Sequence, residues 1–298
     1  MTSKQATDIA FMEAPPQVSE WRRLRRVFFG RWSVIAGASI LALVLLVAIL
    51  APLLAPHDPY QVGATVPLSP PNPKHPLGSD TLGRDTLSRL IYGSRTALMV
   101  GFITVAVASF VGVVMGVVAG YSGGVPYMLT MRIVDTLMCF PMLLLALVIA
   151  AVLGGGIHNV IIALSVALIP GYARVTCAMT LSVRENDYVT ASQLMGASDS
   201  HIVFQHILPN ILQPILVLMT MQLGSVILAE ASLSFLGIGI EPPGAAWGAM
   251  VYDGYRYLVH NPVLSFAPGL AIMLTVFAFN MVGDGLRDAL DPRLRGLL

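Results

Sequence analysis

The stretch WSVIAGASILALVLLVAILAPLLA, residues 32–55, carries no charged side chain in twenty-four positions. A helix of roughly 20 apolar residues crosses the hydrocarbon core of a bilayer, so this run is long enough to span one. It is too long for the ~7–15-residue apolar region of a signal peptide, and some thirty residues precede it, so it reads as an uncleaved anchor. Five further runs follow: Thr96–Gly120, Tyr127–Leu153, Ile157 to Ala173 or somewhat beyond, Ile211–Leu236 and Pro262–Val282. Asp135 and Glu230 are the notable charges in their interiors. A charge at a span's centre costs about 2.5–3.5 kcal/mol on insertion scales, so that scarcity is informative.

Composition agrees with the threading. The 298 residues are 56% hydrophobic and 11% charged, with a mean hydropathy of +0.76, whereas soluble domains carry about 25% charged residues. The expected class is an all-α polytopic membrane protein with about six transmembrane helices, embedded in a lipid bilayer. A formal charge of +1 points to no polyanionic partner, nucleic acid included. Cys139 and Cys177 lie in or beside apolar runs and suggest neither a disulfide framework nor a metal site.

Lysine and arginine set the expected orientation. With the amino terminus in the cytoplasm, twelve of the seventeen fall inside: Lys4, Arg22, Arg23, Arg25, Arg26, Arg31, Arg132, Arg174, Arg184, Arg287, Arg293 and Arg295. Five fall outside: Lys74, Arg84, Arg89, Arg95 and Arg256. The cluster Arg22–Arg26 abuts the first span, where the positive-inside rule acts most strongly. Both termini are then cytoplasmic. The chain divides into a basic tail (1–31), the first span (32–55), an external segment (56–94), a core (95–288) with an internal loop (184–209), and a short cytoplasmic tail (289–298). The external segment opens with Pro67, Pro70, Pro71, Pro73 and Pro76, which favours an extended start. It turns helical near Arg84-Asp85, where Leu87, Leu90 and Ile91 form an apolar stripe for a membrane surface or other spans. Gly112, Gly116 and Gly120 recur every fourth residue, placing a smooth face on the second span for close helix packing. Pro141 inside the third span predicts a kink.

The internal polar segment, 174–209, carries most of the functional reading. Asn186 or Asp187 can cap a helix start. Tyr188, Ala191 and Met195 give that helix a half-apolar face, and Gly196 can end it in the left-handed conformation. Ser198 or Asp199 then caps a second helix, and Pro209 is expected to stop it. The product is a helix-turn-helix elbow with small residues at its tip. Such an elbow suits either a groove on a partner protein or an amphipathic position at the lipid headgroups.

The spacing of this loop resembles the cytoplasmic motif of binding-protein-dependent ABC importer permeases: Glu-Ala-Ala, three residues, Gly, nine residues, Ile, any residue, Leu, Pro. Here it reads Thr190-Ala191-Ser192, Gly196, and His206-Ile207-Leu208-Pro209 at the same spacing, departing at Thr190, Ser192 and His206. Further stretches resemble the second, C-type permease subunit of the dipeptide/oligopeptide/nickel group: His75-Pro-Leu-Gly-Ser-Asp-Thr-Leu-Gly-Arg-Asp85, Ser88-Arg-Leu-Ile-Tyr-Gly93, Met131-Arg-Ile-Val-Asp135 ahead of Pro141, Ala231-Ser-Leu-Ser-Phe-Leu-Gly237, Pro242-Pro243 with Trp247-Gly248, and Gly283-Asp-Gly-Leu-Arg-Asp-Ala-Leu-Asp-Pro292.

The resemblance implies a type I importer permease in a bacterial cytoplasmic membrane, a pore for di- or oligopeptides or related small solutes. Its implied partners are a homologous second permease, two ABC ATPase subunits and an extracytoplasmic solute-binding protein. It assigns ATPase coupling to Tyr188, Thr190, Ala191, Ser192, Met195 and Gly196, with Leu208 and Pro209 as the structural end of the coupling loop. ATP and Mg²⁺ would sit in the partners, with no cofactor on this chain and no catalytic residue.

Other features weigh on the alternatives, a stand-alone secondary transporter and an intramembrane serine protease. No Gly-x-x-x-x-Gly-Lys-Ser/Thr occurs, so the chain has no phosphate-cradling loop of that kind. His57, His75, His158, His201, His206 and His260 lie in loops or near span ends and read as solvated or interfacial. His201 and His206 are five apart, not the four that pairs metal ligands on one helical face. Gly120-Tyr121-Ser122-Gly123-Gly124 fits Gly-x-Ser-x-Gly, but a nucleophile elbow needs a preceding strand, and here a membrane helix precedes it. Its glycines read as a helix end. Asp135 can pair with Arg132 within one helix. Glu230 is either a pore or gate contact or a buried structural hydrogen bond. Asp284, Arg287, Asp288 and Asp291 fall at or beyond the inner end of the last span, solvated or facing the ATPase subunits.

Overall fold

A computed structural model describes residues 30–290. The basic cluster Arg22–Arg26, Lys4, Asp291, Arg293 and Arg295 lie outside the described residues. Helix α1 (Trp32–Ile49) is followed by the single turn α2 (Ala51–Leu54). The long helices are α3 (Thr86–Ser122), α6 (Ile157–Arg184), α9 (Leu208–Phe235) and α11 (Val263–Leu290). Between them lie α4 (Gly124–Met138), α5 (Met142–Leu153), α7 (Asp187–Leu194), α8 (Asp199–Ile202) and α10 (Trp247–Tyr255). Among the described residues the only β pairing is an isolated antiparallel bridge between Ser79 and Asp85.

Five helical stretches are long and apolar enough to cross a membrane, and six if α4 and α5 count as one broken span. The third expected span is therefore not a gently kinked helix. Its halves meet at 90°, with Pro141 as the residue that opens α5. Proline has no N–H to donate and its ring crowds the preceding turn, so the helix breaks there.

The bundle is organised around α3 and α6. A Cβ placed on Gly116 would lie 2.6 Å from both the Ala173 carbonyl oxygen and Thr176 Cβ; one on Gly120 would lie 2.8 Å from Thr180 Cβ, and one on Gly112 would collide with Tyr172. The predicted glycine face is thus the surface on which α6 lies. Thr176, Cys177 and Thr180 are buried there, so α6 stays helical to Arg184, ten residues into the stretch that reads as a polar loop. Helix α1 leans on α11 through another close approach, with Gly37 against Met281 and Ala278 and Gly285 against Val34. Arg31 pairs with Asp288 beside this contact.

The Pro-rich segment does not run out extended. It folds back on residues 78–83 through hydrogen bonds from Gly63 N to Leu82 O (2.9 Å), Thr65 N to Gly83 O (3.1 Å) and Leu68 N to Asp80 O (3.0 Å). Gly78 and Gly83 allow this, at φ +73° and +69° and with no room for a Cβ beside Ser69 O and Thr65 O. Asp80 accepts from the buried Arg84 side chain at 2.6 Å. Arg89, also buried, donates to Pro59 O at 3.1 Å and Gly244 O at 3.1 Å. It therefore staples this apron and the loop before α10 to the head of α3. The Leu87, Leu90 and Ile91 stripe is only half-buried; the buried residues in that turn are polar, Asp85, Thr86, Ser88 and Arg89. Desolvated charge pairing, not an apolar stripe, holds the head of α3.

Candidate functional site

The elbow between α6 and α9 is largely exposed, with most of residues 184–201 open to the surface. Asn186 occupies the cap position of α7, but its side chain does not cap it. It turns back and donates to Val183 O at 3.0 Å, which fixes the angle between α6 and α7. Gly196 closes α7 at φ +83°. Its N–H reaches Gln193 O (2.9 Å), and Ala197 N–H reaches Ser192 O (3.1 Å), the paired bonds of a Schellman end. The Ser198 side chain then accepts from His201 N and starts α8.

The helix faces differ from the expected stripe. Val189 is fully buried and Ser192 nearly so, whereas Tyr188, Thr190, Ala191 and Met195 point outward. Val189 joins Ile202, Ile207, Ile211, Ile215 and Val117 in a separate apolar cluster under the elbow. The tip presents Leu194, 85% exposed, and Met195, 82% exposed. Polar struts complete the seat. Tyr121 Oη donates to Asp199 Oδ1 at 2.6 Å, and Arg184 Nη1 donates to Tyr121 O at 2.9 Å. Asn210 Nδ2 donates to Tyr188 Oη at 3.3 Å. The elbow is therefore braced on the ends of α3, α6 and α9. Sequence reasoning misses Val189 and Leu194 as elbow residues and the strut between Tyr121 and Asp199; the apolar pair Leu194-Met195 between Gln193 and Gly196 is the available signal.

Pro209 does not end the second elbow helix. The chain stays helical from Asp199 to Phe235, and Leu208 and Pro209 open α9 instead of closing the loop. The reason is a π-helical turn over Val203–Ile207, with Leu208 N–H bonded to Val203 O. The widened turn directly ahead of Pro209 relieves the crowding that a proline ring imposes on an α-helix. It also alters the side-chain register. His201 and His206, five apart, have ring centroids 5.7 Å apart, and Tyr188 meets His206 at the same separation.

Other predicted residues sit as follows. Gly123 ends α3 at φ +64° with Ser122 exposed as the last helical residue, so the Gly-x-Ser-x-Gly stretch is a helix end. Asp135 pairs with Arg174 of α6, not with Arg132. Glu230 is buried, and its Oε1 accepts from Ser234 Oγ at 2.7 Å. An open, largely apolar groove of about 690 Å³ runs between α9, α10 and α11, with Ser232 and Asn280 as its side-chain polar points; Glu230 is not among its lining residues. His75 is buried rather than solvated, with Nδ1 2.9 Å from Asp85 Oδ1.

A broken, small-residue-packed membrane bundle with a rigid projecting elbow defines a class, the type I importer permease fold. The structure is similar to a chain of the inward-facing MetNI methionine ABC transporter, at TM-score 0.56 and 21% identity over 68% of this chain and 97% of that one. Residues 112–296 match the binding-protein-dependent transport system inner membrane component family, and residues 19–71 match the N-terminal TM domain of oligopeptide transport permease C. The chain belongs to the binding-protein-dependent transport system inner membrane component family. Among its relatives are the dipeptide transport system permease protein DppC of Alkalihalophilus pseudofirmus (39% identical, 93% of this chain and 91% of that one) and the glutathione transport system permease protein GsiD of Pectobacterium atrosepticum (40%, 92% and 92%). The di/tripeptide transport system permease protein DppC of Pseudomonas aeruginosa is 37% identical over 99% of this chain and 98% of its own.

Proposed function

We propose that this chain is one of two permease halves of an ABC importer for di- or oligopeptides or related small solutes in a bacterial inner membrane. The elbow faces the cytoplasm, as do both termini, and the apron faces outward. The chain is not itself an enzyme. It pairs with a homologous permease, two ABC ATPases that bind ATP and Mg²⁺, and an extracytoplasmic solute-binding protein. The peptide assignment takes its support from the transport systems to which the relatives belong.

The observation that carries the coupling role is the contrast between the two faces of α7. Its inner face, Val189 and Ser192, is locked to three spans, and its outer face ends in the bare pair Leu194–Met195. A rigid lever with an apolar tip transmits a push from a partner without yielding, and two exposed apolar side chains suit a partner's cleft better than water. ATP-driven closure of the ATPase pair would shift the elbow and switch the pore between outward and inward states. The groove between α9, α10 and α11 is this chain's candidate share of the path or of the permease–permease contact.

Leu194→Glu places a charge on the tip without touching the elbow's seat. The expected result is loss of ATPase co-purification with a normally folded, membrane-inserted chain. Unchanged assembly and uptake in this variant and in Gly196→Arg would overturn the coupling role.

A further inference from the structure

We propose that His57, His75 and Asp85 form a binding site for a divalent transition-metal ion, with a donor set best suited to Zn²⁺, that clamps the apron to the head of α3. The three residues come from three separate parts of the chain: the turn leaving α2, the Pro-rich segment and the cap of α3. Each offers one ligand atom, and all three atoms lie within 4.8 Å of one another.

The geometry is partly built. Asp85 Oδ2 is fully engaged, accepting from Ser88 N at 2.8 Å and Ser88 Oγ at 2.7 Å. Its Oδ1 faces both histidines, 2.9 Å from His75 Nδ1 and 3.8 Å from His57 Nδ1. Around a tetrahedral ion with bonds of about 2.0–2.1 Å, ligand atoms sit roughly 3.3 Å apart, and the two observed separations bracket that value. The backbones are held as well. His57 N donates to Ser88 Oγ at 3.1 Å, and His75 N donates to Asn72 Oδ1 at 3.0 Å.

The independent observation is His57 Nδ1. It has no hydrogen-bond partner and is shut off from solvent, although a third of the side chain is exposed, at 34%. A buried ring nitrogen aimed at a shared carboxylate, with nothing to bond to, is costly. The two imidazoles are stacked at 4.5 Å between centroids, 27° from parallel. A metal ion beside Asp85 Oδ1, at the edge that both Nδ1 atoms present, uses both in-plane nitrogen lone pairs and takes the place of the His75–Asp85 hydrogen bond. Two imidazoles and one carboxylate favour Zn²⁺, Cu²⁺ or Ni²⁺ over Mg²⁺ or Ca²⁺, which prefer all-oxygen sites. The exposed edge of His57 provides the way in.

The test uses the full chain, purified in its complex, stripped with chelator and titrated with ZnCl₂ by calorimetry, with Co²⁺ absorption as a second readout of tetrahedral geometry. One equivalent per chain is expected, with slower proteolysis of residues 56–85 in the loaded protein. His57→Ala keeps the His75–Asp85 hydrogen bond and so tests the site without dismantling the apron. It should weaken binding by more than about 10–100-fold, the loss typical of removing an outer-shell partner alone. Wild-type protein that takes up less than one equivalent, or that binds Zn²⁺ as well as His57→Ala does, would overturn the proposal. These readouts are independent of transport.

Discussion

Gly116 has no side chain because α6 passes where one would be. A Cβ there would sit 2.6 Å from a backbone carbonyl, which cannot rotate away as a side-chain tip can. Gly116→Ala is therefore expected to cost about 1–3 kcal/mol, seen as a lowered midpoint of thermal unfolding in detergent. Gly171, in the facing helix, has open space around it. Gly171→Ala should be neutral or stabilise by about 0.4–1 kcal/mol, and equal losses at both positions would refute close approach as the reason for the glycine face. Arg89 makes the second residue-scale prediction. Arg89→Met leaves the Pro59 and Gly244 carbonyls and Asp80 without their shared partner. The expected loss is about 3 kcal/mol or more, with early proteolytic nicking between residues 56 and 85. Such side-chain roles are only half legible in sequence. The four-residue glycine period is a one-dimensional signal and points to a packing face. The partner helix, and the pairing of Asp135 with Arg174 rather than with Arg132, depend on which helices are neighbours.

At the scale of elements, the elbow shows what periodicity reaches and what it does not. Gly196 as a helix end and Ser198 as a cap follow from local backbone chemistry, and both are found in place. The buried face is different because α7 is oriented by a tertiary seat, the cluster around Val189, and not by its own apolar content. Val189→Asp would bury an unpaired charge in that seat, at a cost of about 3 kcal/mol or more. The cost should fall on the elbow locally, so limited proteolysis between residues 186 and 200 should accelerate while the membrane bundle keeps its melting profile. Proline is a sound stop signal in an α-helix, but a π-helical turn before Pro209 removes the clash, and no residue in Val203–Ile207 announces that turn. The same turn brings His201 and His206 together despite their five-residue spacing. The apron is the least legible element, because its shape comes from backbone hydrogen bonds between residues 63–68 and 80–83, which leave no repeating pattern in the sequence.

For the whole molecule, the decisive features lie at its two ends. The spans establish a membrane protein, and five or six crossings follow from length and composition. A braced elbow lies at one end and a charge-stapled apron at the other, and the chain lacks a phosphate-cradling loop of the Gly-x-x-x-x-Gly-Lys-Ser/Thr kind. A pore half driven from outside itself should be inert alone. A secondary transporter should work alone under an ion gradient, and a serine protease should lose activity in Ser122→Ala, a residue that here only ends a helix. The most direct measurement is uptake of labelled peptide into proteoliposomes, comparing this chain alone under an imposed ion gradient with the chain plus its second permease, ATPase pair, binding protein and ATP. Uptake is expected only in the complete, ATP-supplied assembly, falling by at least about tenfold in Leu194→Glu. Uptake by the chain alone, or full activity of Leu194→Glu in the assembly, would contradict this expectation.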